Sequence, residues 1–269
     1  MDVDHSPSPP IYKQQVLSHF HFLFHILDAD GLRDFIILHS QYNLVQEGMQ
    51  SKERYFVPHN QSIKDIPTNV QHLFICEYKE YRDRNLILST NCFNQLTSIT
   101  IGSHCFMNVG ELVIDGLDSL ESVIIGENCF GGYGDGICRI TNCPNLTLLE
   151  IGNGSFKDFK SFELSNVNSL QSIEFGKHCF KHIREFVLDR MESLESVKIG
   201  RYCFRIDYRK KCDDGICRIT NCPNLTLLEI GDGSFKDFKS FELSNLNSLQ
   251  SIEFGHESLQ YADLSLKGE

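Results

Sequence analysis

The stretch LTSITIGSHCF, residues 96–106, decides the fold, because variants of it return six more times along the chain. Each copy reads leucine, two variable residues, an aliphatic residue, one variable residue, isoleucine or phenylalanine, and glycine. The glycines are spaced by 24, 26, 24, 24, 31 and 24 residues: Gly102, Gly126, Gly152, Gly176, Gly200, Gly231 and Gly255. A repeat of this length is typical of a solenoid, in which each coil stacks on its neighbours.

A second short segment with alternating apolar residues lies in each unit. The segments read ELVI, ICRI, SFEL, EFVL, ICRI and SFEL and end at Ile114, Ile140, Leu164, Leu188, Ile219 and Leu243. Alternation of period two predicts a strand with one buried face, and the Leu-x-x-Ile-x-Ile segment predicts another. The glycine at its end permits a turn with positive φ. Each unit therefore predicts one coil with two short strands, whose apolar faces are buried by stacking.

The chain also contains a nearly exact internal copy. Residues 136–176 recur at 215–255 with two changes, in which Asn153 becomes Asp232 and Val167 becomes Leu246. The copy spans whole coils, so it brings its own interfaces with it, and its near-identity at exposed positions indicates a recent duplication. We therefore interpret the block as scaffold and look for function in what differs: the 205–214 loop, the N-terminal region and the ends.

These units resemble leucine-rich repeats of the BspA-like class. The resemblance rests on the Leu-x-x-Ile-x-Ile strand and on the step Cys-Pro-Asn-Leu at residues 143–146 and 222–225. It also rests on an aromatic residue after the strand, at Phe106, Phe130, Phe156, Phe180, Phe204 and Phe235. It covers residues 86–259 and implies a β-rich leucine-rich-repeat solenoid. Members of this class are typically protein-interaction or surface-adhesion modules without catalytic activity, so the resemblance implies such a role here.

The remaining chain divides by composition. Residues 1–10 are predicted to be a disordered tail, because they read Ser-Pro-Ser-Pro-Pro near their end. Residues 11–65 are predicted to form an N-terminal cap, with helices at 12–29 and 31–44; the alternative is a strand at 19–25. Residues 66–95 are predicted to be degenerate first coils and 96–269 the solenoid. At the C-terminus, residues 261–266 could supply the second strand of one more coil, and without a polar cap we expect end-to-end pairing there.

Charge and composition exclude several classes of function. The formal net charge of −11 argues against nucleic acid and against anionic membrane surfaces. No run of apolar residues is long enough to span a bilayer. The acidic, proline-rich start argues against a signal peptide, so we expect a cytoplasmic protein with its 11 cysteines reduced. A location on the cell surface would require export without a recognisable signal.

Two groups of residues are candidates for binding a protein partner. The insertion that precedes the second copy is basic in an acidic protein and is either a solvated or a recognition loop. Its candidate residues are Arg205, Asp207, Tyr208, Arg209, Lys210 and Lys211. The exposed positions of the first strand form an acidic strip, which is either solvated or binds a basic partner. Its candidate residues are Glu150, Glu174, Glu229 and Glu253. On the second strand, Arg139 is predicted beside Glu163 and Arg218 beside Glu242.

The cysteines are better explained by packing than by chemistry. One position of the repeat accepts either cysteine or serine, which indicates a small side chain in a tight place. It is occupied by Cys105, Cys129, Ser155, Cys179, Cys203, Ser234 and Ser258. A zinc site formed by Cys203, Cys212, Cys217 and Cys222 is a weaker alternative, as is an enzyme that uses Cys212. No catalytic triad emerges, and we expect no catalytic residues, metal or cofactor.

The sequence therefore predicts a non-catalytic protein–protein interaction module or scaffold. The alternative is a surface adhesin or a structural repeat protein of the cell envelope.

Overall fold

The computed structural model describes residues 54–57, 66–75, 85–132, 136–205 and 215–267. Within them the chain forms 17 β-strands and no helix. In chain order the strands are β1 (Arg54–Val57), β2 (His72–Ile75), β3 (Asn85–Ser89), β4 (Ser98–Ile101), β5 (Glu111–Asp115), β6 (Ser122–Ile125), β7 (Gly136–Thr141), β8 (Leu148–Ile151), β9 (Phe159–Ser165), β10 (Ser172–Phe175), β11 (Glu185–Asp189), β12 (Ser196–Ile199), β13 (Ile216–Thr220), β14 (Leu227–Ile230), β15 (Ser240–Ser244), β16 (Ser251–Phe254) and β17 (Asp263–Lys267).

The strands form two parallel sheets that enclose the core. Sheet A has the order β1-β2-β4-β6-β8-β10-β12-β14-β16, and sheet B has the order β17-β15-β13-β11-β9-β7-β5-β3. From β2 onward, each coil gives one strand to each sheet, so strands that pair come from consecutive coils. This arrangement confirms the predicted solenoid with two short strands per coil.

Equivalent residues of successive coils lie side by side and form columns. The clearest column consists of phenylalanine rings with centroids between 4.8 Å and 5.6 Å apart: Phe106, Phe130, Phe156, Phe180, Phe204 and Phe235. This spacing is close to that of hydrogen-bonded strands, roughly 4.8 Å. All six rings are fully buried, so the column fixes both the distance and the register between coils.

A glycine follows each sheet A strand from β6 to β16 and allows the backbones of consecutive coils to approach closely. A Cβ atom at Gly152 would lie 2.5 Å from the carbonyl carbon of Gly126. The predicted positive φ at this glycine is wrong. The left-handed conformation occurs two and four residues later, as at His178, with φ of 63°, and Phe180, with φ of 49°. Glycine is needed because the backbones of consecutive coils leave no room for a side chain.

The buried cysteine–serine column ties consecutive coils together. The Ser155 hydroxyl donates to the carbonyl of Gly126 at 2.8 Å and accepts from the backbone N–H of Cys129 at 3.0 Å. The Cys203 thiol donates in the same way to the carbonyl of Gly176 at 2.9 Å. Either residue type meets the same need, which is a small donor at a buried carbonyl.

Each copy of the duplicated block donates hydrogen bonds to an aspartate of the preceding coil in sheet B. Asp115 accepts hydrogen bonds from Thr141 at 2.7 Å and Asn142 at 2.8 Å, which hold the pKa of its carboxyl below the usual value. In the second copy, Asp189 accepts from Thr220 and Asn221, both at 2.7 Å. The aspartate precedes the block on each occasion, so the block meets an equivalent neighbour twice.

The two ends extend the same pattern. Arg54–Val57, part of the predicted cap region, form a strand that pairs in parallel with β2. The helices predicted at 12–29 and 31–44, and the alternative strand at 19–25, lie outside the described residues. At the other end, Asp263–Lys267 form β17, which confirms the predicted second strand of one more coil.

Candidate functional site

The predicted acidic positions lie in one row across the outer face of sheet A. We call Glu150, Glu174, Glu229 and Glu253 the glutamate row. Glu150 is in register with Glu174 and Glu229 with Glu253, while Lys198 stands between the two pairs. The Lys198 ammonium lies 3.7 Å from a carboxylate oxygen of Glu229. The row therefore presents two adjacent pairs of carboxylates, with a cation between them.

The first half of the row borders an open cavity of about 490 Å³. Ile124, which is in register with Glu150 and only 7% exposed, lines it together with Glu150 and Glu174. The tight glycine turns after the strands form its remaining wall. Apolar and acidic groups thus meet at this part of sheet A.

The outer face of sheet B pairs many of its own charges. The predicted pair of Arg139 and Glu163 is confirmed, with Nε and Oε2 3.4 Å apart. Arg218 is in register with Glu242, as predicted, but its guanidinium binds Glu185 at 3.0 Å. Glu242 binds Lys267 instead, also at 3.0 Å. Each long side chain has a neighbour on both sides, so the repeat alone does not determine which one it binds.

Sheet B opens between β9 and β11, a feature that the sequence analysis missed. These strands pair only at Ser161–Glu185 and Phe162–Phe186, whereas β15, with the same sequence SFELS, pairs with β17 at all five positions. Phe162 and Phe186 face each other with centroids 6.2 Å apart, wider than the strand spacing of roughly 4.8 Å. At β17 the residue opposite the phenylalanine is Leu264. The two rings are in register at the last paired position, and the strands part directly after them.

We call this opening the β9–β11 seam. It forms an open cavity of about 740 Å³. Its charged lining consists of Arg139, Glu163, Glu185, Asp189, Arg190 and Glu192. The signal in the sequence was phenylalanine at equivalent positions of consecutive SFEL and EFVL segments.

Among the predicted loop residues, Arg205 is the one that the structure describes. Its guanidinium lies 3.8 Å from a carboxylate oxygen of Asp237 and 5.9 Å from the ring centre of Tyr202. Arg205 is thus engaged with its own scaffold. The other candidates, Asp207, Tyr208, Arg209, Lys210 and Lys211, lie outside the described residues.

The buried thiols are held in their neutral form. Burial raises the pKa of Cys143 and of Cys222 to about 11, and it also raises the pKa of Cys138 and Cys217. A thiol is nucleophilic as the thiolate, so these four are unreactive at neutral pH. Cys212, named in the zinc and enzyme alternatives, lies outside the described residues. In the part of the chain that the structure describes, no three potential metal ligands cluster.

No protein-family model, curated protein or solved structure matches this chain. The fold alone therefore defines its class, which is that of parallel β-solenoids with two facing sheets. No helix of the described residues has the length and apolar character needed to cross a bilayer.

Proposed function

We propose that this chain is a non-catalytic protein-interaction module or scaffold, built from leucine-rich repeats of the BspA-like class. In this proposal the glutamate row binds a basic protein partner. The observation that supports it most is the placing of four carboxylates in register on one face, with Lys198 as the intervening cation.

The electrostatics of the row favour a cationic partner. Glu150 and Glu174 lie on neighbouring strands, and so do Glu229 and Glu253. Like charges directly opposite each other on neighbouring strands repel. A lysine or arginine placed between two carboxylates relieves this repulsion, as Lys198 does between Glu174 and Glu229. A partner with basic residues at intervals would do the same along the rest of the row.

The outer faces of sheet A and sheet B differ in how their charged residues are paired. On sheet B, Arg139, Arg218 and Lys267 each bind a glutamate of the same face. Sheet A holds Lys198 among the four glutamates of its row. The four glutamates and Lys198 give this row a net charge of −3, which raises the rate of encounter with a basic partner.

Two triple variants test the proposal. Glu150→Gln, Glu174→Gln and Glu253→Gln together neutralise the row, leaving the Lys198–Glu229 pair intact. Glu121→Gln, Glu192→Gln and Glu195→Gln, all exposed and outside the row, form the matched control. Each set changes the net charge from −11 to −8, since three carboxylates are removed.

Binding of an oligolysine peptide is measured by fluorescence anisotropy at low salt. We expect the row variant to bind roughly 3- to 100-fold more weakly than the control variant, from three ion pairs of about 0.2–1 kcal/mol each. Partners captured from cell lysate should bind the wild type and the control variant and be lost from the row variant. Equal losses for the two variants would contradict the proposal.

A further inference from the structure

One edge of the solenoid, where the chain passes from sheet A to sheet B, is basic in an acidic protein. In the coils of β8, β10 and β12 the described parts of these connections are residues 152–158, 176–184 and 200–205. They hold one acidic residue, Asp158, and six basic residues: Lys157, Lys177, Lys181, Arg184, Arg201 and Arg205. The connections that lead into the same three strands from sheet B have a net charge of −1: residues 142–147, 166–171 and 190–195. Positive charge is therefore segregated to one edge.

Three lysines of this edge lack an acidic partner, and we call Lys157, Lys177 and Lys181 the lysine cluster. The backbone N–H of Lys181 donates to the carbonyl of Lys157 at 3.1 Å, so these two residues are neighbours across adjacent coils. Arg205 follows in the next coil and lies 3.8 Å from Asp237. The three ammonium groups of the cluster, in contrast, form no ion pair with any residue that the structure describes.

The second copy of the duplicated block contains the same lysine with a carboxylate partner. Lys236 is the equivalent of Lys157, and its ammonium lies 2.7 Å from a carboxylate oxygen of Glu257 in the next coil. The residue that stands in the same place relative to Lys157 is His178. The two lysines therefore differ because the next coil supplies a carboxylate in one copy and an imidazole in the other.

Cations face the imidazole that replaces this carboxylate. Burial, followed by the charges of Lys181, Arg205 and Lys177, lowers the pKa of His178, so these three side chains lie close enough to act on its ring. The ring also stacks on Tyr202 with centroids 5.2 Å apart, and Tyr202 is 40% exposed. An imidazole cannot balance the positive charge around it, and the group stands open to solvent.

We propose that the lysine cluster around His178 binds a carboxylate-rich segment of an acidic protein partner. One carboxylate of the partner would take the place beside Lys157 that Glu257 takes beside Lys236. Neighbouring carboxylates would reach Lys177 and Lys181, in charge-assisted hydrogen bonds. This surface differs from the glutamate row in place and in sign, so the inference goes beyond the proposed function and does not depend on it.

Binding of a labelled oligoglutamate peptide to the full chain, measured by fluorescence anisotropy at low salt, tests the proposal. The cluster variant combines Lys157→Gln, Lys177→Gln and Lys181→Gln. The matched control combines three substitutions of cations that bind glutamates of sheet B: Arg139→Gln, Arg218→Gln and Lys267→Gln. Each set removes three cations and changes the net charge from −11 to −14. We expect the cluster variant to bind roughly 3- to 100-fold more weakly than the control.

His178→Glu tests the comparison between the two copies. It should recreate beside Lys157 the pair that Lys236 forms with Glu257, and so block the site from within the chain. We expect oligoglutamate to bind roughly 3- to 10-fold more weakly than to Gln171→Glu, which adds the same charge at an exposed position of the opposite edge. His178→Gln adds no carboxylate and should bind as the wild type does. His178→Glu should unfold at the same or a higher urea concentration than the wild type, which separates lost binding from lost folding.

Carbodiimide coupling, which joins carboxylates to lysine amines, locates the bound peptide. Mass spectrometry should find it on Lys157, Lys177 or Lys181 in preference to Lys198, which is paired with Glu229. The variant that carries Glu150→Gln, Glu174→Gln and Glu253→Gln should not weaken oligoglutamate binding, and the cluster variant should not weaken oligolysine binding. Failure of this inference and failure of the proposed function are thereby distinguishable.

Three outcomes would overturn the proposal. The first is the absence of saturable oligoglutamate binding, and the second is an equal loss of binding in the cluster variant and its control. The third is tighter binding of a short oligothymidylate or a phosphoserine peptide than of oligoglutamate, lost in the cluster variant, since the cluster would then select phosphate rather than carboxylate.

Discussion

Arg201 and Asp232 form an ion pair between consecutive coils, with Nε and Oδ2 3.1 Å apart. At the equivalent position of the first copy, the Asn153 amide donates to the Glu127 carboxylate at 2.6 Å. The polar change within the duplicated block thus follows a change in the coil before it. Where the preceding coil has Arg201, the block carries the acidic Asp232. Where the preceding coil has Glu127, the block carries the amide Asn153. Contacts between coils therefore constrain exposed turn residues as well as the core.

Asn153→Asp should destabilise the protein, because it places a carboxylate beside that of Glu127. We expect the free energy of unfolding to fall by about 0.2–1 kcal/mol at low salt and by less at high salt. Chemical denaturation at two salt concentrations measures this effect. Adding Glu127→Arg should restore stability by recreating the pair of the second copy. A loss that is independent of salt would argue against repulsion as its cause.

Val167→Leu should be costly although the second copy carries leucine at this position. Val167 is fully buried, whereas Leu246 is partly exposed near the open end. Overpacking a closed core typically costs about 1–3 kcal/mol. Leu246→Val is the matched control and should cost less than Val167→Leu in urea denaturation. Equal stability of Val167→Leu and the wild type would contradict this prediction. It would show that the interior coils can rearrange to accommodate the larger side chain.

Gly152→Ala should disrupt the stacking of coils. The added Cβ would lie 2.5 Å from the backbone of Gly126, and the backbone has little room to move between two coils. We expect a loss of about 1–3 kcal/mol or more in thermal or chemical unfolding. Gly110→Ala is the control, because nothing lies within 4 Å of its added Cβ. The hypothesis of close approach fails if the two variants are equally stable.

The raised pKa of Cys143 makes stability depend on pH in the alkaline range. Burial raises its pKa to about 11 in the folded protein, against an ordinary value of 9.0 for a thiol. The unfolded chain therefore loses this proton first. The stabilising contribution is complete below about pH 9 and is lost as the pH rises through about 11.

Cys143→Ser should flatten this part of the stability profile, measured by urea denaturation at several pH values. The effect is one of several, because Cys222 has a similar pKa and burial also raises the pKa of Cys138 and Cys217. Cys92→Ser, at an exposed position, is the matched control for the removal of a thiol. An identical alkaline slope in Cys143→Ser and the wild type would refute the assignment.

The repeat predicted most of the architecture because every coil solves the same packing problem. Two alternating segments per unit were sufficient to place strands such as β9 and β15 and to assign Phe156 to the core. The role of Gly152 was misjudged, since positive φ and close approach both require the absence of a Cβ atom. The sequence placed Arg218 beside Glu242, and the register is as predicted, but the guanidinium binds Glu185 instead. The β9–β11 seam begins directly after Phe162 and Phe186, which face each other in adjacent coils, and a pattern read within a single unit does not compare adjacent coils.

The β9–β11 seam also has a mechanical consequence. Sheet B loses strand pairing between Glu163–Ser165 and Val187–Asp189, while sheet A stays fully paired at the same level, between β8, β10 and β12. A stack with one continuous sheet and one parted sheet bends more easily there than where both are continuous. In such a bend, sheet A would stay continuous and act as the hinge, while sheet B would open at the seam. We therefore expect the array to bend most easily between the coils that carry Glu163 and Val187.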